Sequence, residues 1–400
     1  MTNVPLLSEH GIDVVALVGP GTDILDWLAE RGVSDYVHVP EFNPEIHAEG
    51  IGARAMVPFR YVRSWARSTA IIEEVARRRS VDVIFAALAF GWISATRVAR
   101  RLNLPIVWRA GGTELTGIQK TLLEAAARSV WGPDLLICCS QAVRRVYEPI
   151  VKAPSEVVLN GVDSDWFTPE AGNPSSCRPA GARLVVGFAA RMASQKRPGD
   201  FVALASRLSA RFPDAVFLAA GKGPEREASE AMARELGARN IRFLGYVPDM
   251  ASFYRACDVF VLPSRSEGAP NVVLEAMAMG CPVVASDVPG TREIMRDGRD
   301  GVIVPIGDID ALERGVSKLL DDRALRRRLA DTALERVRRE FSARACAGET
   351  AALLRRVTGA REEPRAVFRR EGAFSPRATG GGLASPGGRR MRRHDRDPGL

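Results

Sequence analysis

One stretch of the chain, from Asp258 to Ser286, constrains the fold more than any other. It opens with an unbroken apolar run, Val259 to Leu262, which is typical of a strand buried on both faces of a parallel sheet. A polar loop follows from Pro263 to Ala269, then a helix that Gly280 is expected to end. The apolar run Val283 to Ala285 predicts the next strand. In such a strand–loop–helix–strand unit, ligands bind outside the carboxyl ends of the strands.

Two carboxylates lie in this unit at E-x7-E spacing, Glu267 on the loop and Glu275 inside the helix. Pro270 is suited to the first helical position, and Asn271 and Val272 would fall in the first turn, where N–H groups and the helix dipole favour an anion. Glu275 would then be placed to accept hydrogen bonds from vicinal hydroxyls such as those of a ribose. Taken alone, a pair with this spacing is more simply explained as two solvated charges that flank a helix.

Strands alternate with helices along the rest of the chain, which predicts parallel, doubly wound α/β sheets. In the first half the predicted strands are Ile12–Val18, Val37–Val39, Val83–Ala87, Pro105–Arg109, Leu135–Cys139 and Val157–Leu159. The predicted helices there are Asp23–Arg31, Phe59–Arg79, Ile93–Leu102, Leu122–Ser129 and a helix to Tyr147 that Ser140 would cap. A second α/β domain is predicted to begin at the strand Leu184–Val186.

Short motifs in and around the first stretch occur in a fixed order. They are Phe243–Gly245, Ala256–Asp258, Pro263–Ser264, Glu267–Gly268, Pro270, Glu275–Ala276 and Gly280–Pro282, followed by Gly290, Glu293 and Gly301. The series resembles the donor-binding core of the GT-B glycosyltransferases, specifically the large retaining family 4 that carries the E-x7-E spacing. Ala269 departs from the family, which usually has a larger apolar residue at this position.

The resemblance implies a GT-B fold, in which two Rossmann-like domains face each other across a cleft. It implies an acceptor-side domain at 1–165, a linker at 166–182, a donor-binding domain at 183–342, and a helix at 343–360 that crosses back to the first domain. Glu267 would contact the donor sugar, Arg191 and Lys196 its diphosphate, and Glu275 the ribose. The other residues expected on the donor side are Asn271, Val272, Gly268, Pro270, Gly221 and Gly223.

On the acceptor side, a Gly-rich loop, Gly111–Gly112–Thr113–Glu114, follows a predicted strand. Many family members carry a histidine here, near the reacting sugar, but this chain reads Arg109–Ala110–Gly111–Gly112. Either Arg109 or Glu114 takes over the role of that histidine, or the acceptor side differs from the family's. Gly111, Gly112, Glu114 and Arg109 are therefore the acceptor-side candidates.

Bulk properties narrow the functional classes. The formal net charge is +8, but residues 361–400 alone hold ten Arg against five acidic residues, in a basic tail whose composition predicts disorder. Nucleic-acid binding is therefore not expected.

No apolar stretch is long enough for a transmembrane helix, and the N-terminus lacks the features of a signal peptide. The six cysteines lack metal-site spacing, which favours reduced thiols and a cytoplasmic location.

The predicted helix Phe59–Arg79 is rich in arginine, and its sequence leaves two interpretations open. The favoured one is a helix that covers a sheet and exposes its arginines to water. The other is a peripheral contact with the anionic inner face of a membrane.

At its N-terminus, the chain opens at what resembles the family's second strand. A preceding strand–loop–helix unit of about 20–30 residues is therefore expected upstream.

The sequence thus predicts a retaining, metal-independent transferase that moves a sugar from a UDP- or GDP-sugar to a glycan, lipid-linked or other acceptor. No cofactor is expected. The alternatives are a GT-B-like binding or scaffold protein without activity and a nucleotide-sugar epimerase. The sequence leaves the nucleotide, the sugar and the acceptor open.

Overall fold

The structure, a computed structural model, describes residues 5–18, 35–38, 51–87, 89–115, 121, 123–124 and 132–359. Three sequence predictions lie wholly or largely outside these residues: the helix Asp23–Arg31, most of the helix Leu122–Ser129, and the basic tail at 361–400.

The described part of the first half contains short parallel strands that form two sheets. The strands are β1 (Ala16–Val18), β2 (Tyr36–His38), β3 (Ile84–Ala86), β4 (Ile106–Ala110), β5 (Leu135–Cys138) and β6 (Ser155–Val157). β1 pairs with β2, and the other four form a sheet in the order β3-β4-β5-β6. The helices are α1 (Ile51–Arg78), α2 (Ala89–Leu102) and α3 (Gln141–Tyr147).

Helix boundaries in this half show where local signals hold. The Ser140 hydroxyl accepts a hydrogen bond from the Val143 N–H at 3.2 Å, so the predicted cap of α3 is confirmed. α1 begins at Ile51 rather than at the predicted Phe59. A loop is predicted there from Gly52 and Pro58, because both residues are poor helix formers.

The second half is built around one six-stranded parallel sheet in the order β12-β11-β10-β7-β8-β9. Its strands are β7 (Leu184–Ala189), β8 (Ala215–Ala220), β9 (Ile241–Gly245), β10 (Val259–Leu262), β11 (Val283–Ser286) and β12 (Val302–Val304). Its helices are α4 (Pro198–Ser209), α5 (Arg226–Glu235), α6 (Met250–Ala256), α7 (Asn271–Ala278), α8 (Pro289–Ile294), α9 (Ile309–Asp321) and α10 (Arg323–Glu340). The last described helix is α11 (Ala343–Thr358).

Apolar runs mark the buried strands of both halves. Every residue of β10 is at most 1% exposed, as expected of a central parallel strand. In β4 and β5 alternate residues face opposite cores. Trp108 stacks on Trp92 of α2, with ring centroids 4.7 Å apart, on one face of the sheet. Val107 and Ile137 pack on the other face, in a separate cluster.

That separate cluster contains α11, so the C-terminal helix packs on the sheet of the first half. Ala347 and Leu354 of α11 are buried there with Val107 and Ile137. The chain also crosses between the halves near Val162, where two segments pair: the Val162 N–H donates to Phe341 O at 2.9 Å, and the Ala343 N–H donates to Val162 O at 3.0 Å. These crossings connect the two halves into one compact unit.

Candidate active site

The strand order of the second sheet creates a crevice between β7 and β10. The chain runs outward from β7 through β8 to β9 and then returns to β10 on the other side of β7, so the strand order reverses between β7 and β10. Loops after neighbouring strands diverge at such a point, and ligands bind there in open α/β sheets. The loop after β7 carries Arg191 and Lys196, and the loop after β10 carries Glu267.

Three successive contacts connect these two loops. The Arg265 N–H donates to Gln195 O at 2.9 Å, and the Gln195 side-chain amide donates to Ser266 O at 2.7 Å. The Lys196 ammonium then donates to Glu267 Oε1 at 2.6 Å. The loops after β7 and β10 are therefore joined by paired backbone and side-chain groups, the last of which are a cation and a carboxylate.

The Lys196–Glu267 pair is an addition to the sequence prediction, which assigned the two residues to different parts of a ligand. Only 6% of the Glu267 side chain is exposed, and 21% of that of Lys196. A carboxylate this buried needs a charged partner to offset its lost hydration. The spacing of the residues gave no sign of the pair, because it depends on β7 and β10 being neighbours. Arg191, at the start of the same loop as Lys196, is exposed.

Helix α7 follows the loop after β10, and its ends are well defined. It begins at Asn271, with Pro270 as the N-cap rather than the first helical residue, a shift of one position from the prediction. Pro270 makes no side-chain capping hydrogen bond to the first turn, which contains Asn271 and Val272. At the other end Gly280 adopts φ +66°, and its N–H donates to Met277 O, so the predicted glycine stop is confirmed.

Glu275 lies one turn inside α7 and is partly exposed. Its Oε2 accepts a hydrogen bond from the Tyr254 hydroxyl of α6 at 2.8 Å. The sequence prediction placed a ribose-binding carboxylate on this helix but gave no sign of its tyrosine partner, since Tyr254 lies on another helix.

The two glycines expected on the donor side, Gly221 and Gly223, support the loop that carries Arg191. Both have positive φ, +130° and +153°. A Cβ on Gly221 would collide with Ala190 O, and one on Gly223 with Met192 O. Only glycine therefore fits at these positions, and the loop after β8 packs directly on the backbone that precedes Lys196.

The Gly-rich loop of the first half, Gly111–Glu114, reaches the loop that follows β10 in the second half. This second loop, Pro263 to Ala269, is the donor-side loop. Gly268 lies so close to Gly111 O that a side chain on Gly268 would collide with it. The hydroxyls of Thr113 and Ser266 are 2.5 Å apart. The carboxylate of Glu114 accepts a hydrogen bond from Arg265 Nε at 3.0 Å.

Two more acceptor-side candidates lie apart from this contact. Gly112 is exposed, and a Cβ built on it would have no neighbour within 4 Å. Arg109 donates to Asn160 Oδ1 at 2.8 Å, and Asn160 Nδ2 donates to Ala269 O at 2.9 Å. Burial lowers the pKa of the Arg109 guanidinium. Arg109 is thus coupled to the donor-side loop through Asn160.

Glu293 of α8 makes a further connection between the two halves, and no role was assigned to this residue from the sequence. Both carboxylate oxygens of Glu293, on α8, accept backbone N–H groups at the start of α3, from Gln141 at 2.8 Å and from Ala142 at 2.7 Å. The same short helix begins against the donor-side loop, because Gly290 packs on the carbonyl oxygens of Glu267 and Gly268. Helix α8 therefore contacts both α3 of the first half and the loop after β10.

No group of three His, Cys, Asp or Glu side chains is placed to hold a metal ion among the described residues. All six cysteines are free thiols, and all but Cys177 are buried. Of the helices in the described ranges, none has both the length and the apolar composition of a bilayer span.

Comparison with known families follows the division of the chain into halves. The family model described as Glycosyl transferases group 1 matches residues 177–336, and the model described as Glycosyltransferase Family 4 matches residues 22–166. The chain belongs to glycosyltransferase family 4. The predicted α/β GT-B fold class is confirmed.

Individual family 4 relatives match over part of their length. The chain is 38% identical over 134 residues to the lipopolysaccharide core biosynthesis glycosyltransferase LpsE of Rhizobium meliloti, which is 33% of this chain and 39% of LpsE. It is 33% identical over 217 residues to the mannosyltransferase LpsB of the same organism, 50% of this chain and 62% of LpsB. The match thus covers less than two thirds of either relative.

A solved structure with the same fold spans more of the chain. Anabaena HepE, crystallised with UDP and glucose, superposes with a TM-score of 0.71 at 18% identity, over 88% of this chain and 95% of that one. At this identity the likeness concerns the fold.

Proposed function

We propose that this family 4 chain is a retaining, metal-independent glycosyltransferase that transfers a sugar from a nucleotide-diphosphate-sugar to a glycan or lipid-linked acceptor. The observation that carries the proposal is the crevice between β7 and β10, where Lys196 and Glu267 meet 2.6 Å apart beside the start of α7. A cation and a helix N-terminus match the diphosphate of such a donor, and a carboxylate matches the hydroxyls of its sugar.

The proposed reaction breaks the bond between the anomeric carbon and the diphosphate oxygen. An acceptor hydroxyl forms the new bond on the same face of the sugar, and the departing phosphate takes the proton of that hydroxyl. Negative charge grows on the diphosphate as it leaves, so fixed cations lower the barrier most at that point. Lys196 and Arg191 would supply those cations, which is why neither a metal ion nor a cofactor is included in the proposal.

The roles of the donor-side residues follow from their positions. Lys196 would exchange part of its contact with Glu267 for the diphosphate, which would leave Glu267 able to accept hydrogen bonds from the sugar. The first turn of α7, at Asn271 and Val272, would face the phosphates, and Glu275 the ribose. Gly221 and Gly223 would act through the backbone of the loop that carries Arg191, since they pack on that loop.

The acceptor would enter from the side of the Gly-rich loop at Gly111–Glu114. This loop already contacts the donor-side loop through Thr113 and Glu114, so an acceptor held there would lie next to the donor sugar. Relatives support saccharide chemistry: LpsE and LpsB are named for lipopolysaccharide core biosynthesis. HepE has been crystallised with UDP-glucose, which makes a nucleotide-sugar the natural first donor to test.

Thermal stabilisation by nucleotides tests the proposal first. A ligand at a hundred times its dissociation constant stabilises a protein by about 2.7 kcal/mol, so UDP or GDP should raise the melting temperature measurably. The donor with the matching nucleotide should then release nucleoside diphosphate in the presence of a saccharide acceptor. This release should persist in EDTA, and NMR of the product should show a retained anomeric configuration.

Three results would contradict the proposal or parts of it. No stabilisation by any nucleoside diphosphate together with no turnover would favour a protein without activity. A changed sugar still attached to the nucleotide would indicate an epimerase. An inverted product would leave transfer in place but remove the retaining mechanism.

A further inference from the structure

Tyr254 is a buried tyrosine with an almost entirely apolar environment. Its side chain is 0% exposed. Its ring packs edge-on against Phe253, Phe260 and Phe167, with centroids 5.7, 5.3 and 6.2 Å away. Phenylalanine would fill this space equally well, and burying a hydroxyl among aromatic rings costs free energy unless the hydroxyl is hydrogen-bonded. The presence of a hydroxyl therefore points to a specific partner.

That partner is the carboxylate of Glu275, 2.8 Å from the phenol oxygen. Tyr254 lies on α6 and Glu275 on α7, so the bond joins two helices on either side of β10 in the chain. Glu275 is partly exposed while Tyr254 is fully buried, so the phenol reaches the carboxylate from the protein interior. Burial, together with the negative charge of Glu275, raises the pKa of Tyr254 well above its ordinary value. The phenol therefore stays a donor at every pH at which the enzyme would be assayed.

We infer that Tyr254 is a positioning residue that holds the Glu275 carboxylate in the orientation in which it accepts the ribose hydroxyls of the donor nucleotide. The inference rests on the proposed function. A glutamate side chain has three rotatable bonds and loses much conformational freedom when it binds a ligand. A phenol that fixes Oε2 beforehand removes part of that cost. A carboxylate has about four acceptor sites, so a hydrogen bond from one phenol does not by itself saturate it.

The test compares nucleotides with and without the ribose hydroxyls. Tyr254→Phe removes one oxygen and keeps the ring. The matched control is Tyr147→Phe, which removes a hydroxyl from a similarly buried tyrosine, 4% exposed, in the core of the first half. Affinities for UDP, 2′-deoxy-UDP and 3′-deoxy-UDP, and for the same series of GDP, are measured by calorimetry. Glu275→Ala is measured in parallel.

Wild type should bind the ribonucleotide more tightly than at least one deoxynucleotide, and Glu275→Ala should abolish that difference. Tyr254→Phe should weaken ribonucleotide binding by up to about tenfold, in line with the cost of ordering one free glutamate side chain on binding. It should weaken binding of the deoxynucleotide much less, so the discrimination shrinks. In turnover the donor KM should rise by up to about tenfold with kcat changed less than twofold, and Tyr147→Phe should match wild type throughout.

The remaining outcomes separate the inference from the function on which it rests. If wild type discriminates and Glu275→Ala does not, but Tyr254→Phe keeps the full discrimination, the inference alone is wrong. Equal weakening of ribo- and deoxynucleotide by Tyr254→Phe would assign Tyr254 to packing only and would also overturn it. If wild type binds neither UDP nor GDP, or if Glu275→Ala leaves the discrimination intact, the ribose role of Glu275 fails and the inference falls with it.

Discussion

Removing the amine of Lys196 tests the central ion pair of the crevice. Exposed ion pairs contribute about 0–1 kcal/mol, whereas removing one partner of a fully buried pair costs about 3–5 kcal/mol. Glu267 is 6% exposed and Lys196 21%, so the pair lies nearer the buried case. We therefore expect Lys196→Met to lower the free energy of unfolding of the nucleotide-free protein by about 2–3 kcal/mol.

The measurement is the melting temperature by scanning calorimetry without nucleotide. A loss of this size corresponds to a fall of about 4–12 °C for a domain of this size. Arg211→Met is the matched control, because Arg211 lies 2.6 Å from Asp321 with side chains 58% and 47% exposed. The N–O distance equals that of the Lys196 pair, so burial is the main difference between the two pairs. Arg211 also lies 5.3 Å from the centroid of the Phe212 ring, and the control loses that contact too. The control should cost less than about 1 kcal/mol.

A double-mutant cycle shows whether the cost comes from the pair itself. Glu267→Gln combined with Lys196→Met leaves no unpaired charge, so the double variant should recover at least about 1 kcal/mol of the summed single losses. Turnover should fall at least tenfold in Lys196→Met, which corresponds to about 1.4 kcal/mol of lost transition-state stabilisation. Single losses that add within about 0.5 kcal/mol, or wild-type turnover in Lys196→Met, would refute the reasoning.

Three further predictions concern the residues around this pair and the C-terminal tail. Glu275→Ala should weaken binding of the free nucleoside diphosphate, whereas Glu267→Gln should spare it and abolish transfer; equal effects on nucleotide affinity would contradict this division of roles. Gly290→Ala should lower turnover at least tenfold, because its new methyl group displaces the carbonyl oxygens of Glu267 and Gly268. Its free energy of unfolding should fall by less than that of Lys196→Met. A fully active variant would show that the loop tolerates the shift. Deletion of residues 365–400 should leave transfer to a soluble acceptor unchanged, since a segment of this composition buries no core, and a misfolded product would assign the tail to the fold.

Much of the fold could be predicted from local sequence because the signals are local. β10 is an unbroken apolar run, and such runs occur where a strand is covered on both faces. Ser140 and Gly280 mark helix ends because one side-chain oxygen or one positive φ satisfies the terminal backbone groups. One prediction failed on local signals as well: α1 begins at Ile51 although Gly52 and Pro58 have low helix propensity.

The candidate site divides in the same way. Its sequence places Glu267 on a loop and Glu275 inside a helix, and both residues lie on those elements in the structure. Their partners could not be predicted. Lys196 is 71 residues from Glu267, and Tyr254 lies on another helix from Glu275. Sequence spacing determines what one element presents, but strand order determines which elements are neighbours. That order is set by packing of the whole sheet, so only the tertiary structure could bring these partners together.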